Sequence, residues 1–108
     1  MVESKQRKSV FLKEATRAAS VRGSVTTARL EDLAAETPAP SFDAASLRAV
    51  RLTADLGLAL TRILKNQAAL VYFDSSESAL QEVQGFRPPE THEFKELQGF
   101  RLSIFRKL

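Results

Sequence analysis

The sequence predicts an α+β sandwich of order β–α–β–β–α–β, a four-stranded antiparallel sheet with two helices on one face. A basic segment, helical or disordered, precedes it. Three observations carry that expectation. Leu70-Val71-Tyr72-Phe73 is a β-branched and aromatic run, and Val71 and Phe73 alternate with Leu70 and Tyr72 across a strand. Asp74, Ser75 and Ser76 follow as helix-capping residues, with Ala79, Leu80 and Val83 at helical spacing and Gly85 placed to close the helix. Phe100–Phe105 is a second strand-like run, with Leu102 and Ile104 on one face.

The remaining elements are read in chain order. Residues 3–20 have helical composition, with a stripe of Val10, Phe11, Ala15 and Ala18 among Lys5, Lys8, Lys13 and Arg17. Gly23 and Ser24 break that pattern. Val25, Thr26 and Thr27 favour a strand to about Leu30, although Thr27 could instead cap a helix through "ARLEDLAAE" with Leu30 and Leu33 inward. Pro38 and Pro40 mark residues 35–41 as a loop. Ser41 is placed to cap a helix whose buried face is Phe42, Ala45, Leu47, Val50 and Ala54 and which ends at Gly57. "LALTRIL" and "AALVYF", separated by Lys65-Asn66-Gln67, read as a hairpin. A helical Gly57 would instead give one long helix to Phe73 and an all-α domain. "EVQGFR" at 82–87 and "ELQGFR" at 96–101 echo one another, each using Gly to turn the chain and Phe to pack it back.

Composition narrows the class. With 108 residues, 44% hydrophobic, the chain supports one core without staples. It has no cysteine, which removes disulfides, thiolate metal sites and cysteine nucleophiles, and the expectation is an intracellular protein, nuclear or cytoplasmic. No apolar run approaches the roughly 18 residues of a membrane span, so no membrane partner is expected. The net charge of +3 is unevenly spread. Lys5, Arg7, Lys8, Lys13, Arg17 and Arg22 face only Glu3 and Glu14 in residues 1–22, and an organelle presequence would share that bias. Asp74, Glu77, Glu82, Glu90, Glu93 and Glu96 make residues 74–98 acidic, and Arg101, Arg106 and Lys107 make the end basic again. Basic ends around an acidic segment suit a polyanion, or simply a solvated surface.

From about Ser24 to Lys107 the chain resembles the RNA-recognition motif family, which is ferredoxin-like. "LVYFDSSESA" is similar to that family's third strand and second helix, and "LQGFRLSIF" to the entry into its last strand; "LEDL" at 30–33 would end the first. The resemblance implies an N-terminal extension over residues 1–22 and an RRM-like domain over 24–108. It departs where the family stacks bases on aromatic side chains. In "NQAALVYF" the two stacking positions are Ala68 and Leu70, Asn66 and Gln67 replace the basic residue and glycine that open the signature, and the first-strand position is Arg29.

What the resemblance implies is a non-catalytic module that binds single-stranded RNA weakly. Arg29, Arg62, Leu70, Tyr72, Arg101 and Phe105 would lie on its open sheet face, with Arg106 and Lys107 holding phosphates. The alternative is a protein–protein interaction module, or a structural subunit, using the same face. No enzyme is expected. His92 is the only histidine, set in a polar loop between Glu90 and Glu93, and one histidine without cysteine cannot build a typical metal site. There is no glycine-rich phosphate loop, nucleophile elbow or metalloprotease helix, so neither cofactor nor metal is expected.

Overall fold

The computed structural model describes residues 1–48, 50–74, 83–94 and 100–108, arranged in two compact units, Met1–Glu36 and Thr37–Leu108. The expected boundary at residues 22–24 falls inside the first unit. In that unit β1 (Val2–Glu3) and β2 (Thr26–Thr27) pair in parallel, joined by α1 (Gln6–Ala18), and α2 (Leu30–Glu36) follows. The helix expected over 3–20 is therefore present. The strand expected over Val25–Leu30 is cut to two residues, because Leu30 already opens α2 with Glu31 and Asp32 suited to its first turn. Ser9 is fully buried in α1 and its hydroxyl bonds that of Thr27, which ties helix to strand. The terminal ammonium of Met1 donates to the Ser24 carbonyl at 2.7 Å.

The second unit holds a mixed four-stranded sheet of order β3-β4-β6-β5. Its strands are β3 (Phe42–Arg48), β4 (Leu64–Asp74), β5 (Glu90–Phe94) and β6 (Phe100–Arg106), and α3 (Ala54–Ile63) joins β3 to β4. β3 and β4 run parallel, while β6 is antiparallel to both β4 and β5. The sheet is thus not the all-antiparallel one expected, and the helix predicted after Ser41 is a strand. Its alanines and leucine satisfy a ladder with β4, and that tertiary pairing overrides their helical preference. The expected hairpin is also absent: "LALTRIL" lies mostly in α3, which runs directly into β4. The turn signal at Lys65–Gln67 survives as a bulge. Gln67 has φ 65°, and the β3–β4 register shifts between Phe42 and Ala44. The helix expected over residues 75–84 lies mainly outside the described residues.

Thr53 caps α3, its hydroxyl accepting from the Leu56 amide at 3.2 Å. The helix buries Leu56, Ala59, Leu60 and Ile63. Those side chains supply the core together with Leu64, Leu70, Tyr72, Val83, Phe86 and Phe105. Thr53→Ala should cost about 1 kcal/mol, read as a lowered urea midpoint at unchanged slope. Among the described residues no helix is long and apolar enough to cross a membrane.

Candidate active site at the carboxyl edge of the sheet

Alternation divides the sheet of the second unit into two unequal faces. Leu70 pairs with Phe105 and Tyr72 with Ser103, and all four are buried. Val71 pairs with Ile104 and Phe73 with Leu102 on the opposite, half-buried face. The sequence expectation placed Leu70, Tyr72 and Phe105 on an open face. They lie on the closed one: Leu70 and Phe105 are 0% exposed and Tyr72 8%. None of the three offers a platform for a base.

The expected cations are dispersed. Arg29 precedes α2 in the first unit, and Arg62 is exposed in the last turn of α3. Arg101 is half-buried with Nε 3.6 Å from Glu93. Arg106 donates to the Gln67 carbonyl at 3.5 Å, and the Lys107 ammonium donates to the carbonyl of Leu64. The chain's end is thus held by its own backbone partners: Lys107 N–H also donates to Ala68, and Leu108 N–H to Gly85. His92 lies on β5 rather than in a loop, its Nε2 3.3 Å from Glu90 on an exposed surface.

The opposite face brings other residues together. In an open sheet with parallel strands, ligands sit beyond the carboxyl ends of those strands. β3, β4 and β5 all end at one edge of this sheet, where β6 begins. Arg48 is in register with Phe73 and Phe94 with Phe100, so these four share one face at that edge. Phe100 stands 5.9 Å from both Phe73 and Phe94, in tilted ring pairs, and Phe94 is 39% exposed. An exposed guanidinium beside a tier of three rings can hold a planar or anionic group. Behind the edge, the Tyr72 hydroxyl donates to the Val50 carbonyl at 3.2 Å and anchors the connection that leaves β3. Tyr72→Phe should cost about 1 kcal/mol of stability, because it leaves that carbonyl short of a partner; urea unfolding reads the loss.

Away from that edge, a concavity of about 530 Å³ is lined by Leu52, Thr53, Gly57, Thr61, Val83 and Gly85 among others. Its hydroxyls are committed, Thr53 to the Leu56 amide and Thr61 to the Leu58 carbonyl. It therefore presents apolar surface without a reactive group. Among the described residues no cluster of three His, Cys, Asp or Glu could hold a metal.

Phe73, Phe94 and Phe100 were not singled out by sequence reasoning as a site. The signal available was the strand-end position of each, which becomes informative only once strand direction is known.

No family model matches the chain, and no curated protein matches it. Solved structures do. The fold superposes on a candidate methyltransferase, yhhF, from Escherichia coli with a TM-score of 0.72 at 12% identity, over 98% of this chain and 60% of that one. A candidate methylase, HI0767, from Haemophilus influenzae gives 0.67 at 14% identity, over 99% and 70%. A conserved hypothetical protein from Streptococcus pyogenes gives 0.65 at 12% identity, over 99% and 69%. The chain spans 60% of the length of the first of these, and the likeness is one of fold. It corrects the resemblance drawn from the sequence: the sheet is that of these methyltransferase-like structures, with a parallel pair the RNA-recognition motif does not have. The expectation of a non-catalytic RNA-binding or protein-docking module rested on that resemblance and falls with it.

Proposed function

We propose that the chain works in a methyl-transfer enzyme, its sheet edge at Arg48, Phe73, Phe94 and Phe100 receiving the methyl acceptor. The observation that carries this reading is a parallel β3–β4 pair, flanked by the antiparallel β6–β5 pair, in a fold that superposes on two candidate methyltransferases. The expectation of no enzyme is thereby replaced. In this role Phe73, Phe94 and Phe100 supply a flat apolar wall, and Arg48 fixes the orientation of a polar or anionic acceptor through hydrogen bonds from its guanidinium. Tyr72 holds the connection after β3 in place from behind.

Methyl transfer also needs an activated donor, commonly a nucleoside-linked sulfonium. The residues present do not fit such a group. A nucleoside cofactor in a sheet of this type lies against a glycine-rich turn that follows a parallel strand, where no Cβ blocks its approach. The four glycines lie at 23, 57, 85 and 99, too far apart for a G-x-G turn. A Cβ added at Gly23 would meet nothing within 4 Å, at Gly57 only Val83, and at Gly85 only Thr61. None of those three makes a cradle.

Benzoate, a planar anion, is a probe of the acceptor edge. In a titration of the ¹⁵N-labelled chain, its chemical-shift changes should gather on Arg48, Val50, Phe73, Phe94 and Phe100. Arg48→Ala should weaken the interaction by about tenfold, as expected for loss of one charge-assisted contact. Changes gathered instead on the Leu52–Thr61 groove, or scattered over the surface, would remove the site.

A further inference from the structure

Resting on the methyl-transfer reading, we infer that His92 is a specificity-determining residue of the acceptor edge. It takes a hydrogen bond from an N–H or O–H group at one end of a flat aromatic anion, whose negative end Arg48 holds.

The first ground is the register of the open face. The four strands place Arg48, Phe73, Leu102 and His92 in one row across the sheet. The row beside it is Ser46, Val71, Ile104 and Glu90. In both rows the two central side chains are apolar and half-buried, while the outer two are polar and exposed. Phe94 and Phe100 bound the rows at the carboxyl edge, their ring centroids 5.9 Å apart. The face is thus an apolar floor with a cation at one end and an imidazole–carboxylate pair at the other. Three strand spacings separate those ends, about 14 Å between backbones. Two linked aromatic rings cover such a floor once Arg48 and His92 reach inward; a single ring serves only one end.

The second ground is charge. Glu90 is exposed, with Oε1 3.3 Å from His92 Nε2, and it repels an anion from that end. The Arg48 guanidinium attracts one at the other end. These are the only charged groups of the two rows besides His92 itself, since Arg101 and Glu93 alternate onto the opposite face. A ligand with one negative end therefore lies one way round.

The third ground is the imidazole. A carboxylate only accepts hydrogen bonds, so the neutral ring keeps its hydrogen on Nε2, toward Glu90, and leaves a lone pair on Nδ1. Leu102, opposite His92 on β6, brings no polar atom to compete for it. Nδ1 selects a hydroxyl or amino end group and has nothing to give a carboxylate. A methyl acceptor of the N–H or O–H kind presents such a group.

Calorimetric titration of the full chain with two probes tests this. One is biphenyl carboxylate with its charge at a para end; the other adds a hydroxyl at the far para end. The hydroxylated probe should bind about fivefold more tightly, the usual gain from one hydrogen bond. His92→Phe should bring the two affinities together without weakening the plain probe. His92→Gln, which keeps an acceptor, should retain part of the preference. Arg48→Ala should weaken both probes by about tenfold and leave their ratio unchanged. In ¹⁵N spectra of the ring, Nε2 should carry the proton, and Nδ1 should shift when the hydroxylated probe binds. Equal affinities in the unmodified chain, a preference that survives His92→Phe, or a proton on Nδ1 overturns the inference. So does failure of both probes to bind. Benzoate reads the Arg48 end alone. Benzoate changes at that end with equal probe affinities remove only the role of His92, whereas scattered benzoate changes remove the acceptor edge itself.

Discussion

Phe105→Ala should lower the unfolding free energy by about 3–5 kcal/mol, the usual loss when a fully buried phenylalanine is truncated. Phe105 is 0% exposed, packs in register beside Leu70 on the face covered by the core, and meets Phe86 edge-on with ring centroids 6.5 Å apart. The loss combines transferred apolar surface, an unfilled cavity and a broken aromatic pair. Because a domain of this size has only about 5–15 kcal/mol in total, the variant should be largely unfolded in mild urea. Phe105→Leu, which keeps much of the volume, should lose clearly less. A stacking platform on an open sheet face would behave differently, leaving the urea midpoint almost unchanged. The urea midpoint of this variant therefore separates the two placements of the residue.

Gly85→Ala should cost about 2–4 kcal/mol, combining two separable penalties. The first is conformational: Gly85 has φ 89°, a region that a residue with a Cβ enters only at about 1–2 kcal/mol. The second is steric, since a Cβ there would stand 2.8 Å from Thr61 Cγ2. Thr61 cannot easily turn away, because its hydroxyl donates to the Leu58 carbonyl at 2.6 Å. Thr61→Ser removes the methyl group and keeps that hydrogen bond. In its background Gly85→Ala should cost only the conformational part. Equal costs in both backgrounds would mean that the contact with Thr61 is not what limits the position.

The parts of the fold legible in the sequence are those set by local chemistry. The apolar runs at Leu70–Phe73 and Phe100–Phe105 are strands, and residues 6–18 form a helix. Gly85 turns the chain in the left-handed region, and Phe86 after it packs back into the core. The parts misread are those that distant residues decide. Phe42–Arg48 has helix-forming alanines and becomes a strand because β4 pairs with it. Gly57 was expected to end a helix and lies inside one, where an added Cβ would reach Val83 at 3.5 Å, an ordinary contact. Alternation along Leu70–Phe73 is correct, yet both faces carry apolar residues, and a period of two does not say which of them α3 will cover. The candidate site was hidden for a related reason. Arg48, Phe73, Phe94 and Phe100 belong to four strands and meet only because β3, β4 and β5 end together.

The direction of β3 against β4 carries both the methyl-transfer reading and the placement of its edge, and nuclear Overhauser contacts between the two strands test it most directly. Parallel pairing predicts backbone contacts that advance in step, Ala44 with Ala69, Ser46 with Val71 and Arg48 with Phe73. Contacts that run in opposite directions, joining Ala44 to Phe73 and Arg48 to Ala69, would restore an antiparallel sheet and remove the carboxyl-edge site.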